Sequence, residues 1–293
     1  MTPESHCPGT TAAITASALL RSSPLPALEA RILLGHALGW RRTELITRGD
    51  EPLDDAALAR YRGLETRRAA GEPIAQIVGA REFFGLTFEV TADVLIPRPE
   101  TELLVETVLA AIEPIAHARV LDLGTGSGAI AVAIASARPD ARLWAVDRSP
   151  AALAVAARNA GTLLDPARPG GPITWLKSDW YGALPPSLAG TFDTIVSNPP
   201  YIAAGDPHLR EGDLRFEPRG ALTDEADGLS AIRRIVDGAG AFLATQGCIW
   251  IEHGYDQAPA VRALLTAAGF DNVLSHPDLA GIDRATGGSR RSR

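Results

Sequence analysis

Apolar residues recur at helical spacing through the first part of the chain, at Leu25, Leu28 and Ile32 and again at Leu58, Tyr61 and Leu64. Positions three and four apart share one face of a helix. Asp54 or Asp55 is a natural N-cap for the second stretch, and Gly71 with Pro73 ends it. Residues 1–78 therefore predict a small helical bundle. The period then shortens to two. REFFGLTFEVTADVLIP alternates apolar and polar positions and carries aromatics, which predicts a β-hairpin between residues 79 and 97. Pro97-Arg98-Pro99-Glu100-Thr101-Glu102 follows and opens a helix over roughly 100–112.

From residue 118 the rhythm is strand, helix, strand, helix. The strands are ARVLDLG, RLWAVD, ITWLKSD, TIVSN and CIWIEHG, and helices start near Ala129, Pro150 and Gly228. Ser149 is a good N-cap and Pro150 suits the first helical position. Such alternation predicts a doubly wound parallel α/β sheet. The end differs, because Asp271–His276 and Asp283–Gly288 are strand candidates with no helix between them. They predict an antiparallel hairpin at the sheet edge. The expected organisation is a helical domain at 1–78, a hairpin connector at 79–99, an α/β domain at 100–288 and a frayed tail at 289–293. There is no internal repeat.

Composition narrows the class. The 293 residues are 46% hydrophobic and 22% charged, the profile of a soluble globular protein. A net charge of −7 argues against a general nucleic-acid clamp. The first 78 residues balance their acidic and basic side chains, so a helical bundle that docks a partner competes with one of no special purpose. Cys7 and Cys248 make neither a disulfide framework nor a metal cluster. MTPESHCPGT lacks the basic and apolar regions of a signal peptide, and AIAVAIASA at 129–137 is too short to span a bilayer. A cytoplasmic, metal-free monomer is expected.

Two stretches carry chemistry. The first is DLGTGSG, where a strand ends and a helix begins. Gly124, Gly126 and Gly128 accept positive φ and let backbone approach a ligand. Alone, such a turn is equally a tight strand–helix connection. The spacing is G-x-G-x-G, not the dinucleotide G-x-G-x-x-G. The next strand ends in Asp147, whose carboxylate can accept both hydroxyls of a ribose. A carboxylate just before a helix is also favourable in itself. Asp122, under the turn, suits a cationic amino-acid moiety better than a pyrophosphate. Together these point to S-adenosyl-L-methionine.

The second stretch is Asn198-Pro199-Pro200-Tyr201, after an apolar strand. Each proline locks φ and removes a donor, and Asn198 is forced to extended backbone. The result is a stiff hook with carbonyls and no N–H groups to quench them. A ligand that brings hydrogen-bond donors should sit there. A rigid turn explains the prolines but not their place beside the cofactor turn. Glu252 and His253, at the end of a strand, read as structural.

The set IPRPETE (96–102), DLGTGSGAIA (122–131), VD (146–147), SDW (178–180), SNPPYI (197–202), RFEPRGAL (215–222), EHG (252–254) and LAGIDRATGG (279–288) resembles the HemK/PrmC family along essentially the whole chain. Members are protein-(glutamine-N5) methyltransferases that act on peptide chain release factors. The resemblance implies that Gly124, Thr125, Gly126, Ser127 and Gly128 cradle the methionine part of the cofactor. Asp147 would hold the ribose, Trp180 would lie against the adenine, and Asn198 would lie near the cofactor too. Asn198, Pro199, Pro200 and Tyr201 would bind the glutamine amide of a class 1 release factor. Thr245-Gln246-Gly247 stands where the family usually has a glycine pair, and GTLLDPARPGGP (161–172) is looser than expected. PRPET is a helix start or a wall of the substrate entrance. RFEPR is an Arg215–Glu217–Arg219 ion-pair cluster or a lid. Rival readings are an N6-adenine nucleic-acid methyltransferase with the same hook, a ribosomal-protein glutamine methyltransferase, and a cofactor-binding scaffold.

Overall fold

The computed structural model describes residues 14–291. The chain divides between Val78 and Gly79 into two compact units.

The first unit holds helices α1 (Ala16–Ser22), α2 (Ala27–Leu38), α3 (Arg42–Thr47), α4 (Asp55–Ala69) and α5 (Ile74–Val78). Asp54 is the cap of α4, its carboxylate accepting the Ala57 N–H at 2.6 Å. Helix α2 ends on Gly39 at φ 66°, a left-handed stop that glycine adopts without steric cost. The stripe that signalled α2 is not its core face. Leu28 and Ile32 are exposed, whereas Ala30, Leu33, Leu34 and Ala37 are buried with Leu19, Leu45, Tyr61 and Ile77. Arg68 of α4 grips Glu29 of α2 through two hydrogen bonds of 2.8 and 2.9 Å.

The second unit begins with a two-stranded antiparallel ribbon, β1 (Ala80–Phe83) and β2 (Leu86–Glu89). Its two-residue turn, Phe84-Gly85, has φ of 51° and 73°. Positive φ at both central positions matches strand twist, and glycine at the second lowers the strain. The Glu102 carboxylate receives the Phe84 N–H at 2.8 Å and holds that turn. Phe83 and Phe88 are buried in one core with Leu104, Val108 and Val120. The stretch expected to connect two domains is thus built into the second unit.

The ribbon leads to α6 (Glu102–Ile112), β3 (Arg119–Leu123), α7 (Ala129–Ala137), β4 (Arg142–Asp147), α8 (Pro150–Leu163), β5 (Thr174–Lys177) and β6 (Phe192–Ser197). Then come α9 (Arg219–Leu222), α10 (Ser230–Phe242), β7 (Leu243–Glu252), α11 (Ala258–Ala267), β8 (Phe270–Pro277) and β9 (Asp283–Arg290). The main sheet has the order β5-β4-β3-β6-β7-β9-β8, parallel through β7 and antiparallel beyond it. The chain winds outward from β3 to β5, then returns to place β6 on the other side of β3. That reversal opens a crevice at the carboxyl ends of β3 and β6, the usual ligand position in such sheets. Asp122 and Val196 are register partners, as are Leu123 and Ser197, so the loops leaving both strands start side by side. The Ser197 hydroxyl donates to the Leu123 carbonyl at 2.7 Å and ties the two ends.

Two expectations need correction. The final strand runs to Arg290, with Ser289 opposite Cys248 and Arg290 opposite Phe270, so residues 289 and 290 are sheet and not frayed tail. The 161–172 stretch is not loose. Its first residues finish α8, and the buried Arg168 donates to the carbonyls of Gly171 and, at 2.5 Å, Ala141. Gln246 stands at φ 66°, in the left-handed region that glycine adopts freely and that costs an L residue about 1 kcal/mol. Cys7 and residues 292–293 lie outside the described residues.

Candidate active site

A cavity of about 350 Å³ lies at the crevice of the second unit. Gly124, Gly126, Asp147, Trp180, Asn198 and Pro200 all line it. The sequence-derived cofactor turn and hook therefore meet in one space.

The glycine turn is built from β3 outward. Gly124 and Thr125 both donate their N–H to the Val146 carbonyl at 2.9 Å, which seats the turn on β4. Gly124, Gly126 and Gly128 have φ of 74°, 56° and 81°. They do different work. A Cβ on Gly124 would make an ordinary contact with the Trp180 ring at 3.4 Å, so what glycine supplies there is its freedom at positive φ. A Cβ on Gly128 would meet the Ala156 Cβ at 3.0 Å, so that glycine lets α7 approach α8. Thr125, Ser127 and Gly128 do not line the cavity. Thr125 is buried and donates to Asp122 at 2.6 Å, while the Ser127 carbonyl accepts from Asn159 at 2.9 Å.

Asp122 is fully buried beneath the turn, and its Oδ1 has no hydrogen-bond partner. Burial pushes its carboxyl up to about 7, against the Thr125 hydroxyl that pulls it down. Asp147 faces the cavity with both oxygens oriented: Oδ2 accepts the Gly126 N–H at 2.9 Å and Oδ1 the Ser149 N–H at 2.8 Å. Each oxygen keeps a lone pair for a ligand. Trp180 stands at φ 53°, a rare conformation for so bulky a residue. Ser178 holds it there, donating to the Trp180 carbonyl at 2.7 Å and accepting the Ala183 N–H at 2.9 Å.

The hook is pinned behind its reactive face. Ile202 donates to the Leu222 carbonyl at 3.0 Å and Ala204 to that of Ala226 at 3.0 Å. Gln257 of the loop before α11 donates to the Tyr201 carbonyl at 3.1 Å. Asn198 donates its amide N–H to the Thr101 hydroxyl at 3.0 Å. Among the described residues neither Asn198 Oδ1 nor the Pro199 carbonyl has a hydrogen-bond partner. Pro199 is buried and lies off the cavity wall. Tyr201 also lies off it: its hydroxyl donates to Glu252 at 3.3 Å, and its ring packs against the core under the sheet. Desolvation pushes the Tyr201 phenol well above its usual range.

RFEPR does not form an ion-pair cluster of its own. Glu217, with no exposed side-chain surface, receives the Arg98 guanidinium and the Ile96 N–H, the latter at 2.8 Å. Arg219 instead pairs with Glu225 at 2.6 Å. The two motifs that each carried two readings, PRPET and RFEPR, are halves of one contact. His253 is fully buried, with Nδ1 2.9 Å from the Gly254 carbonyl and Nε2 2.7 Å from the Thr286 hydroxyl. Both ring nitrogens are thus used in structure. Thr101 was the residue missed in the sequence. Its only signal was its place in PRPET.

Comparison with known proteins agrees with this architecture. Residues 11–79 match the model of the PrmC N-terminal domain, and residues 99–211 match that of the methyltransferase small domain. The chain is 72% identical to the release factor glutamine methyltransferase of Burkholderia pseudomallei, covering 94% of this chain and 95% of that one. It is 54% identical to the protein of that name from Bordetella pertussis, over 92% of this chain and 97% of the relative. The Escherichia coli protein of that name is 44% identical over 91% of this chain and 93% of its own. Among solved structures, the hMettl16 catalytic domain in complex with MAT2A 3'UTR hairpin 6 superposes with a TM-score of 0.56 at 18% identity. That match covers 78% of this chain and 82% of the other, and it is a likeness of fold alone. By its near full-length identity to several such proteins, the chain belongs to the HemK/PrmC family of release factor glutamine methyltransferases.

Proposed function

We propose that the chain transfers a methyl group from S-adenosyl-L-methionine to the side-chain amide nitrogen of the glutamine in the Gly-Gly-Gln loop of class 1 peptide chain release factors. One observation carries the reading. At the cavity that faces the glycine turn, Asn198 is held by its N–H, so its oxygen is the free end of the amide.

The cofactor, when bound, supplies an electrophilic methyl on a sulfonium. The residues present fit it. Gly124 and Gly126 offer close backbone approach, Asp147 offers two oriented acceptors, and Trp180 offers a flat apolar wall. The unsatisfied Asp122 oxygen below the turn favours a molecule that carries positive charge.

An amide nitrogen is a poor nucleophile, because resonance occupies its lone pair. Asn198 Oδ1 and the Pro199 carbonyl would each accept one of its N–H bonds. Two acceptors fix the amide plane and favour positive charge on nitrogen, which develops mainly in the transition state. Pro200 stiffens the hook, and Tyr201 braces it from below. Orientation alone is worth up to about 7–11 kcal/mol in such reactions. The product loses a proton readily, so no general base is assigned.

The first unit docks the release factor in this reading, and the enzyme works as a cytoplasmic monomer. No helix among the described residues is long and apolar enough to cross a membrane.

The test is transfer of labelled methyl to unmethylated release factor. The same factor with alanine in place of its Gly-Gly-Gln glutamine, ribosomal proteins, and adenine-containing DNA and RNA run in parallel. Label on the first protein alone, mapped to that glutamine, is the expected result. Label on nucleic acid or ribosomal protein would overturn it.

A further inference from the structure

The hook is a stiff piece moored at both ends. Pro199 and Pro200 lock φ at two successive positions, so the run from Asn198 to Tyr201 shifts largely as a unit. At its near end the Asn198 amide donates to Thr101 at 3.0 Å. At its far end the peptide between Tyr201 and Ile202 is gripped on both edges. The Ile202 N–H donates to the Leu222 carbonyl at 3.0 Å, and the Tyr201 carbonyl accepts from Gln257 Nε2 at 3.1 Å. Among the described residues no other donor reaches that carbonyl. One bond alone would let the peptide plane turn about it; two fix the plane.

Gln257 spends its whole side-chain amide on backbone. Nε2 also donates to the Gly228 carbonyl at 3.2 Å, and Oε1 accepts the Gly254 N–H at 2.8 Å. Each partner can play one role only, since a carbonyl accepts and a backbone N–H donates. The amide's orientation is therefore set: its N–H groups face the hook and Gly228, and its oxygen faces the chain just after β7. Two glycines leave room for it. A Cβ on Gly228 would lie 2.9 Å from Nε2 and 2.5 Å from the Tyr201 carbonyl oxygen, and a Cβ on Gly254 would lie 3.1 Å from Oε1.

The two carbonyls that Gln257 holds differ in their other supports. Gly228 belongs to a loop tied by the Asp224 carboxylate, which accepts the N–H groups of Ala226, Gly228 and Ser230 at 2.9, 3.0 and 2.8 Å. That loop borders the cavity through Asp224 and Ser230, and it keeps these ties without Gln257. The Tyr201 carbonyl has no second donor. Loss of the amide therefore falls on the hook.

We infer that Gln257 is a positioning residue for methyl transfer: it fixes the Tyr201–Ile202 peptide and, through the two prolines, the aim of the Asn198 oxygen and the Pro199 carbonyl. The inference rests on the proposed function, since it assumes that those two oxygens receive the substrate amide. Gln257 does not line the cavity and acts only through the hook.

The experiment compares wild type, Gln257→Met and Gln257→Glu on unmethylated release factor, each also in an Asn198→Ala background. Methionine keeps the length without a donor. Glutamate keeps the shape but sets a carboxylate against two carbonyls. Cofactor titration gives Kd and counts the folded sites to which every rate is referred. Both variants should lower kcat by about tenfold or more, because a misaimed hook loses its orientation. Cofactor Kd should stay within about twofold. In the Asn198→Ala background the further loss should be under about threefold, since the main group being aimed is already gone. A merely structural glutamine would cost the same factor in both backgrounds, and that result would overturn the inference. So would an unchanged kcat in both variants, or a loss that appears in cofactor binding. If wild type leaves the factor unlabelled, the functional reading falls and this inference with it; if wild type labels it, the other outcomes judge Gln257 alone.

Discussion

Arg98 donates to the buried carboxylate of Glu217 across 119 residues of sequence, and so joins the segment before α6 to the segment after the hook. Both segments border the cavity, through Asp93, Val94 and Leu95 on one side and Pro218 and Gly220 on the other. Removing the guanidinium would leave a buried charge with only the Ile96 N–H to satisfy it. Arg98→Met should therefore destabilise the second unit by about 3 kcal/mol or more, read as a lower midpoint in urea. A midpoint shift within error would rule out the Arg98–Glu217 pair as a support of the fold.

Asn198→Ala removes the free acceptor of the hook but no part of the glycine turn. Turnover should fall by about a hundredfold or more, with cofactor affinity largely intact. The check is kcat beside a cofactor titration. Near-normal turnover would rule out the hook mechanism.

Asp147 behaves in the opposite way. Its oxygens orient toward the cavity from the backbone of Gly126 and Ser149. Asp147→Ala should weaken cofactor binding first, by about tenfold or more, before any effect on kcat at saturating cofactor. Unchanged binding would rule out the ribose assignment.

Asp122 makes the ligand-free protein less stable as pH rises toward neutrality. Burial lifts its carboxyl from 3.8 to about 7. A raised acid favours folding when protonated, so its contribution is full at acidic pH below the unfolded value and is lost as pH rises through about 7. Glu252 acts in the same sense. Unfolding midpoints should fall between about pH 4 and pH 7, and Asp122→Asn, neutral throughout, should flatten that slope. A variant with the wild-type slope would mean that Asp122 stays ionised.

Gln246→Gly tests the strained irregularity within β7. At φ 66° and an exposed position, glycine should stabilise the fold by up to about 1 kcal/mol, seen in the urea midpoint. Loss of stability would show that the glutamine side chain holds the turn.

Much of this was legible along the chain, because local rules and tertiary structure agree there. Alternating strands and helices gave the parallel sheet, Ser149-Pro150 gave the start of α8, and the glycine turn and the hook were found by backbone chemistry. What failed shares a cause. The face that α2 buries depends on its partners, so Leu28 and Ile32 marked a helix but not a core. Glu217 could as well have paired with Arg215 or Arg219, its neighbours in sequence, and only the folded chain brings Arg98 to it. Thr101 and Glu252 carry no local signature, because their meaning lies in contacts across 97 and 51 residues.

The order in which the strands are made is not the order in which they lie. Strand β9 is the last described strand to leave the ribosome, yet it sits between β7 and β8. A nascent chain that has emerged only through β8 leaves the edge of β7 away from β6 with no partner, and β8 has nothing to pair with. Until Asp283–Arg290 arrives, that open edge can recruit other strands. A message truncated before these codons should thus yield an insoluble product even though the hook and the glycine turn are already encoded. Completion of the sheet thus waits on the last described strand, in an enzyme whose proposed substrates are the factors that end synthesis.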